Sequence, residues 1–160
     1  YAYGNQFFGD ADITAVMDTW YGEKGVECVF ACGGGIWSSA AEAADKVGGK
    51  VIGVDVDQYY ISERIITSAM KQLQNVTETV LEALNNGEWA TYGGKVSNFS
   101  LSEGEYVGLP TEEASWRLNT FTVAEYETVK AGIIAGTVAV SNATDALPTV
   151  SANTTVNEIA

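Results

Sequence analysis

Histidine is absent from the 160 residues, which removes at once the side chain that titrates nearest neutral pH and the commonest zinc ligand. Catalysis built on an imidazole base or a histidine-held metal is therefore not expected, and no metal site is assigned. Basic residues are also scarce: 8 Lys and Arg face 21 Asp and Glu, for a formal charge of -13. No basic cluster interrupts that field, so a nucleic acid or an anionic bilayer would be repelled. No apolar run approaches the roughly 20 residues that cross a membrane, and nothing reads as a signal peptide. Because the chain begins at Tyr1 rather than Met, it reads as an excised piece, and missing targeting signals weigh little. Only two cysteines are present. Cys28 and Cys32 fall in one strand-like run, where extended geometry sets their Cα atoms roughly 13 Å apart, too far for a disulfide. Buried thiols acting as small hydrophobes are the expected reading.

What is present suffices for one sizeable core, with 46% hydrophobic residues. Ile13, Val16, Met17, Trp20 and Tyr21 follow helical spacing, with Asp10 as a cap and Gly25 as a stop. Val26 to Cys32 is a continuous apolar run. After Gly33-Gly34-Gly35 comes an Ala-rich helix whose Ile36, Ala40, Ala43, Ala44 and Val47 share a face. Lys50 to Asp55 and Ile65 to Met70 read as buried strands, the second followed by a helix carrying Leu73, Val76, Val80, Leu81 and Leu84. Strands that do not alternate, each followed by an amphipathic helix, predict an α/β fold: a doubly wound, mostly parallel sheet with helices on both faces. A further strand is expected at Lys95 to Leu101, and Thr122-Val123-Ala124-Glu125 is a capping box opening a last helix. Residues 1–141 are expected to form a single lobe, and residues 142–160, rich in Ser, Thr, Asn and Ala, an irregular tail.

In open parallel sheets ligands bind beyond the carboxyl ends of the strands. That rule selects Phe30 to Trp37, Asp55 to Tyr60, and Met70 with Lys71. The three glycines would let a ligand approach the backbone, or would simply make a tight strand-to-helix turn. They miss the dinucleotide fingerprint, because Ser38 stands where Gly or Ala should. Asp55 nonetheless lies twenty positions after Gly35, where a carboxylate would accept two hydrogen bonds from a ribose diol, so a dinucleotide-dependent enzyme stays open as an alternative. Asp55 and Asp57 flank one residue and should point to opposite faces, which disfavours a two-carboxylate catalytic site. Either Asp would serve equally well in a turn, Lys71 as a solvated surface charge, and Phe30 as core.

The order Val29-Phe30-Ala31-Cys32-Gly33-Gly34-Gly35, Val51-Ile52-Gly53-Val54-Asp55-Val56-Asp57-Gln58 and Ile66-Thr67-Ser68-Ala69-Met70-Lys71 resembles the basic membrane lipoprotein family, whose best understood members are purine nucleoside receptors. The likeness runs from about Phe8 to about Val140, and its most specific element is Gly53-Val54-Asp55-Val56-Asp57-Gln58. It implies the C-terminal lobe of a type I periplasmic-binding-protein-like fold, in which two α/β lobes close on a nucleoside. It also implies an extracytoplasmic, lipid-anchored or periplasmic location, ABC permease and ATPase subunits as partners, an N-terminal lobe absent from this chain, and no catalysis or cofactor. Residue by residue, Phe30 matches the aromatic that stacks on the purine and Gly35 a glycine whose backbone contacts the ligand. Asp55 matches the carboxylate that holds the ribose hydroxyls, and Lys71 the lysine near the same group. Where the family has small residues after its glycines, this chain has Ile36 and Trp37. Trp37 would narrow the pocket or add a second aromatic wall, and an indole wall leaves a sugar-binding lobe of the same fold as a further alternative.

Overall fold

The computed structural model describes residues 6–141, 145, 147 and 149–156. Part of the expected tail, including residues 142–144 and 157–160, lies outside the described residues. Among those described, the chain runs α1 (Ala11–Gly22), β1 (Cys28–Phe30), α2 (Trp37–Val47), β2 (Lys50–Asp55), β3 (Ile65–Lys71), α3 (Leu73–Asn85), a 3-10 turn (Trp89–Thr91), β4 (Val107–Gly108) and α4 (Val123–Ile134). The sheet has the order β1-β2-β3-β4. Its first three strands are parallel and β4 runs antiparallel to β3. This is the α/β class with a mostly parallel sheet that the apolar strand pattern implies.

The core forms where α1 and α2 meet the sheet. Met17, Tyr21, Val29, Ala31, Ala40, Ala43, Ala44, Val51 and Ile65 make one buried cluster. The alanines of α2 are small enough for a close crossing. The Asp10 backbone closes it, since Ser39 Oγ donates to the Asp10 carbonyl and accepts from the Asp10 N–H, each at 3.0 Å. Asp10 also caps α1, its Oδ1 accepting the Ile13 N–H at 2.8 Å. Within α1 the expected stripe holds at Ile13, Met17, Trp20 and Tyr21 and departs at one position. Val16 is exposed and Thr14 is buried in its place, because the Thr14 hydroxyl donates to the Asp10 carbonyl and turns toward α2.

Other expectations fail for physical reasons. Lys95 to Leu101 is not a strand. Phe99 turns inward instead, stacked on Tyr92 and edge-on to Tyr106 with centroids 5.8 and 4.8 Å away. The edge strand is Val107–Gly108, six residues further on. β1 stops at Phe30, because Cys32 and Gly33 fold back onto the carbonyls of Phe30 and Ala31. Both cysteines are free, as the spacing required, but they are exposed rather than buried. α3 and α4 stand where the periodicity put them, yet their apolar stripes are largely uncovered by described residues. Only Ala83 of α3 and Tyr126 of α4 are buried.

Candidate functional site

The carboxyl ends of β1, β2 and β3 open on one cavity of about 540 Å³. Phe30, Asp55 and Lys71, the last residues of their strands, all line it. Phe30 keeps 52% of its surface exposed, so it is not part of the core. The parallel register brings the ends of β2 and β3 level, since Asp55 pairs with Met70, whereas Phe30 pairs with Ile52 and ends β1 three residues lower on the same edge of the sheet.

Asp55 is the sole described non-glycine residue with positive φ, at 68°. The Val56 N–H donates to the Val54 carbonyl at 2.8 Å across it. An i to i+2 bond around a positive φ is the rarer, strained form of the γ-turn. It swings Asp55 out of the strand pleat, and Lys71 Nζ meets its Oδ1 at 2.8 Å. The hydrogen bond to Asp55, reinforced by that carboxylate's charge, raises the Lys71 ammonium above the ordinary lysine range. Both side chains stay open to solvent, so the pair adds little to stability and leaves polar atoms free to exchange partners. Asp57 points elsewhere. Its Oδ2 accepts the Ser115 hydroxyl at 2.5 Å and its Oδ1 the Tyr59 N–H at 3.2 Å, in keeping with the opposite-face expectation for the two carboxylates.

The two other sequence candidates lie outside the cavity lining. The Gly35 N–H donates to the Phe7 carbonyl at 2.6 Å, and Gly34, at φ 53°, has no room for a Cβ beside the same carbonyl. The glycine run thus docks the N-terminal segment and leaves no amide of Gly35 for a ligand. Trp37 opens α2 and packs against the buried cluster, so it forms no second aromatic wall. The amides of Ile36, Ser38 and Ser39 are likewise taken, by the carbonyls of Gly33, Gly35 and Ile36. A pyrophosphate would find few free donors at this helix start.

Sequence reasoning missed the apolar wall made by Phe7, Leu101, Val107, Leu109 and Tyr126. Tyr126 reaches it from α4 and accepts the Leu109 N–H on its hydroxyl at 3.0 Å. The capping box announced the start of α4, but nothing local said that Tyr126 would brace the segment after β4. The arrangement combines an exposed aromatic face, a fixed carboxylate with a cation beside it and a greasy back wall. It suits a small ligand with one flat apolar part and one hydroxylated part.

Fold and cavity together define a ligand-binding α/β lobe. The chain belongs to the Bmp family, the ABC transporter substrate-binding proteins of PnrA-like type, whose family model matches residues 2–143. Among solved structures, a transcriptional activator of the comK gene from Bacillus halodurans is similar to it with a TM-score of 0.58 at 18% identity. That likeness speaks for the fold alone. It covers 83% of this chain and 44% of the other, so the chain spans less than half of that protein's length. No curated protein matches the chain.

Proposed function

We propose that residues 1–141 are one lobe of an extracytoplasmic solute receptor that captures a purine nucleoside for an ABC importer, followed by an irregular tail. Family membership supports the receptor role and the absence of catalysis. The nucleoside reading rests on one observation: half-exposed Phe30 and the Lys71-paired Asp55 face the same cavity. In this reading the purine stacks on Phe30, an interaction worth about 1–3 kcal/mol per base in nucleic-acid systems. Asp55 accepts hydrogen bonds from two ribose hydroxyls and Lys71 keeps the carboxylate oriented. Gly35 and Trp37 act through the lobe's architecture and not as ligand contacts.

A second lobe, supplied by sequence beyond this chain, would close over the open side of the cavity. A lipid anchor and ABC permease and ATPase subunits complete the proposed assembly. A dinucleotide enzyme is disfavoured by the amides already consumed around Gly35, and a sugar receptor by the removal of Trp37 from the cavity. The test is calorimetry with adenosine, guanosine, NAD and a hexose on the complete two-lobed protein. Asp55→Ala is expected to abolish nucleoside binding and leave the melting temperature nearly unchanged. Unaltered affinity in that variant would reject the assignment, and binding of NAD alone would favour the enzyme.

A further inference from the structure

Asp55 holds a backbone conformation that a residue with a Cβ does not keep unaided. What holds it is a tie three residues downstream. Gln58 is only 6% exposed and does not itself line the cavity. Its Oε1 accepts the Val54 N–H at 3.1 Å, and its own N–H donates to the hydroxyl of fully buried Ser68 on β3 at 3.0 Å. Its carbonyl accepts the Ile61 N–H at 3.0 Å. Gly53 makes the space for this tie. A Cβ there would lie 2.5 Å from Gln58 Oε1 and 2.8 Å from Ser68 Oγ. The chain therefore reverses at Asp55, the last residue of β2, and is fastened to both β2 and β3 by one side chain and one amide.

We propose that Gln58 is the positioning residue of the site, fixing through Val54 and Ser68 the strained turn that aims the Asp55 carboxylate at Lys71 and into the cavity before any ligand arrives. The inference rests on reading Asp55 as a ligand-binding carboxylate. A carboxylate placed in advance spares the ligand the cost of ordering the turn, which is how preorganisation raises affinity. Strain at a single residue persists only where its surroundings over-determine it, and here Gln58 and Ser68 supply that constraint.

The test reads Lys71 as a reporter of where Asp55 points. In the full chain, the titration midpoint of Lys71, followed through its 13Cε resonance, should stand above that of an ordinary lysine. In Gln58→Met, which keeps volume and removes the acceptor, it should fall to the midpoint found in Asp55→Ala. Gln58→Glu, which retains an acceptor for the Val54 N–H, should restore it. Met17→Ala, a core variant that lowers the melting temperature by another route, should leave it unmoved, separating positioning from general destabilisation. Adenosine affinity in the two-lobed protein should drop at least tenfold in Gln58→Met. An unchanged Lys71 midpoint in folded Gln58→Met overturns the proposal. Should that variant not fold, Ser68→Ala should lower the midpoint in the same way, and an unmoved midpoint there overturns the proposal equally. The titration needs no ligand, so a wild-type protein that ignores adenosine counts against the nucleoside reading alone.

Discussion

The ring of Tyr21 lies over the backbone of Gly49, so closely that a Cβ on Gly49 would stand 2.5 Å from Tyr21 Cε1. From that position the Tyr21 hydroxyl donates to the Lys50 carbonyl at 2.6 Å. One aromatic thus joins α1 to the turn between α2 and β2. Gly49→Ala should force the ring or the turn aside, at a cost of about 1–3 kcal/mol. A fall in the urea midpoint at unchanged slope would confirm this, and an unchanged midpoint would mean that the turn relaxes freely.

Asp55 offers a test of strain held at the proposed binding site. A non-glycine residue at positive φ costs on the order of 1 kcal/mol or more, which Asp55→Gly should release. That variant is expected to be as stable as the wild type or more so, and to lose nucleoside binding altogether. Asp55→Ala keeps the strain and loses the carboxylate, so it should melt below Asp55→Gly. The reverse order of melting temperatures would show that the turn is not strained.

The ends of β2 and β3 were legible in the sequence because their apolar runs give way to charge at Asp55 and Lys71, whereas the apolar run of β1 continues to Cys32 and overshoots the strand by two residues. Asp10 and Thr122 were legible for a similar reason, each being a local signal read within one turn of chain. The apolar wall was not. Leu101, Leu109 and Tyr126 converge through contacts between segments far apart in sequence, and no spacing rule connects them. Lys95 to Leu101 misled because β propensity is indifferent to whether a partner strand exists, and Phe99 found aromatic partners instead. The glycine run misled differently. Its close approach is to the Phe7 carbonyl of its own chain, a possibility that composition alone cannot separate from an approach to a ligand. Gln58 showed itself only as part of a motif, and its two hydrogen bonds needed the fold to be seen.

Alkaline titration should single out one phenol. Burial raises Tyr21 far above the usual tyrosine range, with the Cys28 thiol adding to the rise and the Val29 backbone opposing it. In the unfolded chain the same group ionises near 10. Its folded value is the higher one, so the stability it contributes is complete below about pH 10 and is lost as pH rises toward the folded value. Absorbance at 295 nm should show one of the 8 tyrosines lagging until the protein unfolds. Tyr21→Phe should remove the lagging phenol, and its survival in that variant would assign the shift elsewhere.

The capping box of α4 is complete. Thr122 Oγ1 accepts the Glu125 N–H at 3.2 Å, and Glu125 Oε2 accepts the Thr122 N–H at 2.8 Å. The Thr122 N–H, with the Thr122 hydroxyl donating to the same oxygen at 2.8 Å, holds the Glu125 carboxyl below the usual range. Thr122→Ala should cost about 1 kcal/mol. Because α4 carries Tyr126 to the cavity wall, the loss should also speed amide exchange at Leu109, whose N–H that hydroxyl accepts. Exchange at Val29, inside the core, should not change. Equal acceleration at both amides would point to global loosening.

The two thiols separate the cavity from the rest of the surface. Both cysteines are free and exposed, but Cys32 lines the cavity and Cys28 does not. A ligand seated between Phe30 and Asp55 would shield Cys32, whereas Cys28, at the start of β1, would keep its access to reagent. In the two-lobed protein, saturating adenosine should therefore slow alkylation of Cys32 by a small maleimide at least tenfold and leave Cys28 unchanged, as peptide mass spectrometry would read. Prior alkylation of Cys32 should in turn block adenosine. Equal protection of both thiols would indicate that closure of the whole molecule, rather than occupancy of this cavity, limits the reagent, and protection of Cys28 alone would place the ligand elsewhere.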